Sequence, residues 1–64
     1  MNWDIKIKEL RCKLLLTQIE FSEMLGVSFG TVNRWENGHN EPTMKQKRKL
    51  MELMIKNKVE TNRI

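Results

Sequence analysis

A short polar segment carries the side chains best suited to specific chemistry. From residue 28 to residue 34 the chain offers hydroxyl groups, the carboxamide of Asn33 and the guanidinium of Arg34. Arginine can donate two parallel hydrogen bonds to a planar partner, and asparagine presents a donor beside an acceptor. These groups recognise flat hydrogen-bonding edges and break no bonds, so the segment predicts a binding surface.

Catalytic or metal chemistry has little support. His39 is the only histidine and follows Gly38 in a polar loop, where contact with solvent or phosphate is the expected role. Cys12 is the only cysteine, which excludes an internal disulfide, and no histidine stands at metal-ligand spacing from it, so we expect a small buried or half-buried side chain. The sequence has no nucleophile–base pair and no glycine-rich phosphate loop. We expect no enzyme activity, no metal site and no cofactor.

Two short helices joined by a tight turn position the polar segment. Thr17 and Glu20 predict a capping box at the start of the second helix of the chain, and Gly26 can adopt the left-handed conformation that ends it. Ser28 suits the N-cap of the third helix, residues 28–37. The apolar residues that must touch across the turn are Phe21, Leu25, Val27, Val32 and Trp35. The residues left facing outward are Ser28, Phe29, Gly30, Thr31, Asn33 and Arg34.

Two further helices supply the scaffold that so small a pair requires. Over residues 4–14, apolar side chains recur at helical spacing on one face: Trp3, Ile7, Leu10 and Leu14. After Pro42, a second capping box at Thr43 and Gln46 predicts a last helix running to about residue 58. The predicted fold class is all-α: a compact four-helix domain over residues 1–58, with a vestigial fifth helix left open, and a short frayed tail over residues 59–64.

The last helix has an apolar arc of about 200°, wider than one core requires. Leu50 and Met54 face the core, whereas Met51 and Ile55 lie beside them. Met51 and Ile55 either pack against the first helix or form a dimer contact with an adaptable methionine surface. The width of the arc favours the dimer.

Size and charge restrict the function further. A chain of 64 residues forms one small domain without a deep cleft, so we expect no small-molecule effector. No apolar run approaches the roughly 18 residues of a membrane span, and the N-terminus is too polar for a secretory signal, so a cytoplasmic location is expected. The net charge of +4 is the sum of −1 over residues 1–42 and +5 over residues 43–64. The basic block Lys45–Lys49 indicates either a polyanionic partner or a solvated face.

These residues resemble the helix-turn-helix of the phage repressor and Cro family, the xenobiotic-response-element type of regulator. The match covers about residues 5–55. It comprises L-R at residues 10–11, L-T-Q-x-E-F at 16–21, L-G-V-S at 25–28 and T-V-N-R-W-E-N-G at 31–38, with Pro42 opening the next helix. The resemblance implies a helix that lies in the major groove of double-stranded DNA.

The resemblance also implies roles for individual residues. Gln18, at the start of the second helix, would contact a phosphate and brace the recognition helix, and Asn37 would contact phosphate from beyond the third helix. Arg11 and Glu36 would form a partly buried structural ion pair. The expected base-reading residues are Phe29, Gly30, Asn33 and Arg34, with Ser28 and Thr31 divided between bases and backbone. Arginine suits guanine, asparagine suits adenine, and phenylalanine can pack on a thymine methyl group.

The chain departs from the family pattern at four points. Leu15 stands where glycine is common at the end of the first helix, and Ser22 replaces an alanine. Gly30 lies inside the recognition helix, where it costs about 1 kcal/mol relative to alanine and removes one base-reading side chain. The usual fifth helix is missing or short.

Two functions are compatible with this pattern. The first is a sequence-specific DNA-binding transcriptional regulator, a repressor that binds as a homodimer through the C-terminal helix. The alternative is a protein-interaction module on the same scaffold, such as an antitoxin-like protein or a recruiting subunit of a DNA-modifying system. The outward polar row favours DNA.

Overall fold

The computed structural model describes residues 3–59, and four α-helices make up most of them. α1 spans Trp3–Lys13, α2 Gln18–Leu25, α3 Phe29–Glu36 and α4 Met44–Lys56. Residues 3–59 contain no strand, which confirms the all-α prediction. No helix in this range has the length and apolar content that a membrane crossing requires.

One core joins all four helices. Its fully or nearly buried apolar side chains are Trp3, Ile7 and Leu10 of α1, Phe21 of α2, Val32 and Trp35 of α3, Leu50 and Met54 of α4, and Val59. Ser22 is also buried, and its hydroxyl donates to the Ile19 carbonyl at 2.7 Å. That bond satisfies the hydroxyl, which explains how serine replaces alanine where the helices cross.

The predicted helix starts are confirmed. The Thr17 hydroxyl accepts from the Glu20 N–H at 3.1 Å, and the Glu20 carboxylate accepts from the Thr17 N–H at 2.9 Å. Thr43 and Gln46 repeat this reciprocal pair at α4. Ser28 caps α3 alone, accepting from the Thr31 N–H at 3.1 Å. These caps fix where each helix begins and therefore which side chains its first turn presents.

All four helices end with the same pair of backbone bonds, the Schellman motif, around a residue in the left-handed conformation. In α2, the Gly26 N–H donates to the Glu23 carbonyl at 3.2 Å, and the Val27 N–H donates to the Ser22 carbonyl at 3.0 Å. The corresponding left-handed residues of the other helices are Leu15 after α1, Gly38 after α3 and Lys58 after α4. Glycine therefore ends α2 and α3, whereas residues with a side chain end α1 and α4.

α4 ends at Lys56, close to the predicted end at about Lys58, because Lys58 has φ of 60° and cannot continue the helix. Val59 follows, is 3% exposed, and donates its N–H to the Met54 carbonyl at 2.8 Å. Val59 was assigned to the frayed tail, but it packs in the core. The rest of the predicted tail, residues 60–64, and any fifth helix lie outside the described residues.

Cys12 is a second correction, because it is exposed and not a buried filler. It follows the buried Leu10 by two positions, which turns its side chain by about 200° to the outer face of α1. Met51 packs partly against the core, whereas Ile55 is 64% exposed.

Candidate nucleic-acid interface

The outer face of α3 carries the predicted base-reading residues, and none of them belongs to the core. Phe29 begins the helix and is 48% exposed, and Arg34 lies exposed one helical turn beyond Gly30. Gly30, Thr31 and Asn33 are half-buried at the edge of this face. The burial of Val32 and Trp35 on the opposite side turns this face outward, because residues three or four apart share a side of a helix.

Two hydroxyl groups at the start of α3 are bound to each other. The Ser28 and Thr31 hydroxyl oxygens lie 2.8 Å apart, and Ser28 also accepts the Thr31 N–H. This pair makes the first turn rigid and occupies part of the hydrogen-bonding capacity of both side chains. The Ser28 hydroxyl keeps capacity for one further partner and the Thr31 hydroxyl for two.

Gly30 makes room for the guanidinium of Arg34. A Cβ atom at position 30 would lie 3.3 Å from Arg34 Nη1 and 3.9 Å from the Ser28 hydroxyl oxygen. The missing side chain therefore lets Arg34 lie back along α3 towards its N-terminus. Any side chain at position 30 would come into close contact with the Arg34 guanidinium in this position.

A nearly buried ion pair joins α1 to the end of α3. Arg11 Nε donates to Glu36 Oε2 at 2.7 Å, and Arg11 Nη2 donates to Glu36 Oε1 at 3.0 Å. The third nitrogen, Nη1, donates to the Leu16 carbonyl at 3.0 Å, in the loop between α1 and α2. Only 4% of the Glu36 side chain is exposed. The ion pair expected from the resemblance is confirmed; the structure adds that it is bidentate and that Arg11 also holds the loop that precedes α2.

The ion pair raises the pKa of Arg11 above its ordinary value. The main cause is the hydrogen bond to Glu36; desolvation opposes it, and the charge of Glu36 adds to it. Because the pKa of Arg11 is raised, the guanidinium's contribution to stability is complete below the pKa of the unfolded state and is lost only as the pH rises through the pKa of the folded state. The charge on Arg11 therefore gives no pH dependence near neutrality.

Three carboxamides extend the ion pair towards the surface of α3. Gln18 Nε2 donates to Glu36 Oε1 at 3.0 Å, and Asn33 Nδ2 donates to Gln18 Oε1 at 3.2 Å. Asn37 Nδ2 in turn donates to Asn33 Oδ1 at 3.2 Å and to the Asn33 carbonyl at 2.9 Å. We call Glu36, Gln18, Asn33 and Asn37 the carboxamide chain.

The carboxamide chain affects the two residues expected to contact phosphate. Gln18 begins α2, whose first backbone N–H groups have no partner within the helix, and it keeps one side-chain N–H beyond the one given to Glu36. Asn37 caps the end of α3, and its side-chain N–H groups point back to Asn33. An approaching phosphate therefore meets free donors at Gln18, whereas Asn37 must turn its side chain to donate.

The start of α4 places basic side chains beside the turn between α2 and α3. Lys45 and Lys49 line an open depression of about 400 Å³ together with Gly26 and Val27 of the turn. Lys47 instead pairs with Glu41 at 2.9 Å and lies over the Trp3 ring, 5.4 Å from its centroid. Two lysines of the basic block thus stand next to the turn, and a third is used within the protein.

His39 is exposed, as the sequence predicted. Within residues 3–59, no group of three or more His, Cys, Asp or Glu side chains is arranged to hold a metal ion.

The sequence resemblance predicts that Gln18 braces the recognition helix, and its side-chain oxygen accepts from Asn33 of that helix. The continuous carboxamide chain was not predicted, because Asn33 and Asn37 were expected only to contact DNA. A glutamine at the start of α2 and a glutamate at the end of α3 were the available signal, because these two side chains bond once the helices pack.

The fold and this surface define a helix-turn-helix domain of the DNA-binding type. A family model described as helix-turn-helix matches residues 7–56, which is most of the chain. The chain belongs to this family, the helix-turn-helix regulators of the Cro and phage-repressor type. The family binds double-stranded DNA. Comparison with curated proteins and with solved structures gave no match.

Proposed function

We propose that the protein is a sequence-specific, double-stranded DNA-binding transcriptional repressor of the cytoplasm that blocks a promoter by occupying it. The observation that carries this proposal is the outer face of α3, where Phe29, Asn33 and Arg34 stand clear of the core. The first turn of α2 brings Gln18 to the same side through its bond to Asn33. Lys45 and Lys49, beside the turn, add positive charge for the phosphate backbone.

The test is selection of bound duplexes from a random library at about 0.15 M salt, the physiological ionic strength. We expect an inverted repeat with half-sites about one helical turn apart, because two-fold symmetric pairs of such domains read DNA in this way. The affinity should fall steeply with salt as lysine and arginine contacts release counterions. Selection that recovers no preferred sequence from the folded protein would contradict the proposal.

Arg34→Ala separates base reading from general attraction. A bidentate contact with guanine is worth about 1–3 kcal/mol, so binding to the selected site should weaken about 5- to 150-fold, with a smaller loss on random DNA. Lys8→Ala is the matched control, because Lys8 is exposed on α1 and carries the same charge. Equal losses on both DNAs, or equal losses in both variants, would exclude base reading by Arg34.

The outer face of α4 is the proposed dimer contact. Met44, Met51 and Ile55 line a shallow depression of about 470 Å³, together with Arg48 and Glu52. A two-fold contact repeats the same patch on both copies, so an antiparallel α4 pair would set Arg48 of each copy near Glu52 of the other. Ile55→Glu should convert a dimer to a monomer in sedimentation equilibrium. Ile19→Glu, an exposed isoleucine on α2, is the control.

The same exposed apolar residues favour a second candidate function, binding of a different protein. In that case α4 would hold an unlike partner, as an antitoxin-like protein or a recruiting subunit does. The complex would survive high salt and would be unaffected by Arg34→Ala. Salt-sensitive DNA binding that depends on Arg34 would decide for the repressor.

A further inference from the structure

The carboxamide chain has a direction that its buried end dictates. The Arg11 guanidinium can only donate, and an ionised Glu36 carboxylate can only accept. Gln18 must therefore turn its NH₂ group towards Glu36, as the 3.0 Å bond shows, and its oxygen towards α3. The orientation of a carboxamide is assigned from its hydrogen-bond partners, and here the partners leave Gln18 one choice.

The same logic passes from Gln18 to Asn33. Because the Gln18 oxygen faces Asn33 at 3.2 Å, Asn33 must offer its NH₂ group there. The Asn33 side-chain oxygen then accepts from Asn37 Nδ2 at 3.2 Å, so the NH₂ group of Asn37 faces Asn33. The Glu36 carboxylate thus sets the orientation of the Gln18 and Asn33 side chains, whereas the Asn33 backbone carbonyl, which can only accept, sets that of Asn37.

The carboxamide chain leaves the Asn33 side chain with one free hydrogen-bond donor and one free acceptor. A carboxamide has two N–H groups and two oxygen lone pairs, and Asn33 spends one of each on Gln18 and Asn37. Adenine presents the N7 acceptor and the N6 donor side by side in the major groove, so one remaining donor and one remaining acceptor suffice to read it.

We propose that Glu36 is a positioning residue for base recognition: through Gln18 it holds the Asn33 carboxamide in the orientation that reads adenine. The inference rests on the proposed DNA-binding function and adds a specificity determinant to it. Glu36 is almost fully buried and touches no DNA itself. Gln18 is then more than a phosphate contact, because it transmits the direction of the hydrogen bonds.

Gln18→Met is the sharpest variant, because methionine has a similar length and flexibility but no hydrogen-bonding carboxamide. It leaves both bonds between Arg11 and Glu36 in place. Glu36→Gln also removes the constraint on the orientation of Gln18, because a carboxamide at position 36 can donate as well as accept. However, it leaves Arg11 without a charged partner and can prevent folding. Arg34→Ala is the matched control on DNA, because its side chain makes no hydrogen bond within residues 3–59.

The first readout uses the protein alone. In NMR spectra of the wild type, the Asn33 carboxamide proton that bonds to Gln18 should exchange more slowly with water than a free carboxamide proton, and the Arg11 Nε–H signal should report the ion pair. In Gln18→Met, Asn33 should lose this protection while the Arg11 signal stays in place. Unprotected Asn33 protons in the wild type would overturn the inference before any DNA is added.

The second readout is base preference in selected duplexes. Asn33→Ala identifies the base pair that Asn33 reads, and the wild type should prefer adenine there. Gln18→Met should reduce that preference about tenfold or more, whereas Arg34→Ala should keep it and lose preference elsewhere.

The outcomes separate the two proposals. If Gln18→Met weakens binding to every sequence equally and keeps the adenine preference, the inference fails and Gln18 is only a phosphate contact. A selected site that Asn33→Ala leaves unchanged also overturns it. If the wild type selects no sequence although Asn33 is protected, the proposed function itself fails, and the role in recognition fails with it.

Discussion

The helix-turn-helix pair and the two helices around it end with the same hydrogen bonds but with different residues. After α2 and α3 the left-handed positions are Gly26 and Gly38; after α1 and α4 they are Leu15 and Lys58. A left-handed residue with a Cβ costs about 1–2 kcal/mol, and glycine avoids this cost. The pair proposed to meet DNA therefore has relaxed turns, whereas its scaffold contains strain.

The difference shows where the chain geometry is most firmly specified. The angle between α2 and α3 depends on the turn at Gly26, and the exit from α3 depends on Gly38. Leu15 and Lys58 lie at the edges of the scaffold, where burial of neighbouring residues such as Val59 holds the backbone in place.

The largest expected effect comes from breaking the ion pair that joins the two regions. Glu36→Ala leaves the partly buried Arg11 without its charged partner, and we expect a loss of about 3 kcal/mol in the free energy of unfolding, measured by urea denaturation. The double variant Arg11→Met with Glu36→Leu should lose less than Glu36→Ala, because no unpaired charge remains. A single-variant loss below about 1 kcal/mol would show that the pair does not hold the regions together.

Replacing the two glycines tests the relaxed half of the comparison. Gly26→Ala and Gly38→Ala should each lower the free energy of unfolding by about 1–2 kcal/mol, because alanine must then take φ near +75°. A Cβ at position 26 would meet nothing within 4 Å, so its loss would report backbone strain alone. Unchanged stability in both variants would remove the distinction between the regions.

The reverse substitution, glycine in place of a left-handed residue that has a side chain, should stabilise the scaffold. Leu15 is 90% exposed with φ of 59°, so Leu15→Gly relieves strain and loses no packing. We expect a gain of about 0.5–1 kcal/mol in thermal or urea unfolding, after the entropy that glycine adds to the unfolded chain. Lys58→Gly should behave alike, and Leu15→Ala, which keeps the strain, is the control that should show no gain.

The smallest effect is expected at Gly30, a glycine without positive φ. Gly30→Ala gains helix propensity of up to about 1 kcal/mol, from which the shift of Arg34 by a few tenths of an ångström must be subtracted. We expect a gain below about 0.5 kcal/mol, because Arg34 is exposed and can move. A clear loss of stability would mean that the arginine is held more firmly than its exposure indicates.

Local sequence signals predicted the elements well because each depends on nearby residues. Thr17, Thr43 and Ser28 cap helices through bonds that span three positions, and Trp3, Ile7 and Leu10 share a face by helical spacing. Leu15 occupies a position where the family commonly has glycine, and its φ of 59° explains that preference. Lys58 escaped prediction because its left-handed conformation depends on how the next residue of the chain packs. The outward row of α3 was predictable, but the carboxamide chain was not, because residues 18, 33 and 36 meet only after folding.

The direction of the carboxamide chain also limits how binding preference can evolve. Gln18 faces position 33 with its oxygen, so a replacement there must donate a hydrogen bond or leave that oxygen unsatisfied. Aspartate at position 33 would set two acceptors against each other. Phe29 and Arg34 are not part of the carboxamide chain, so replacements at these two positions are not restricted to hydrogen-bond donors. Changes in the preferred DNA sequence should therefore arise through substitutions at positions 29 and 34, while position 33 stays nearly constant.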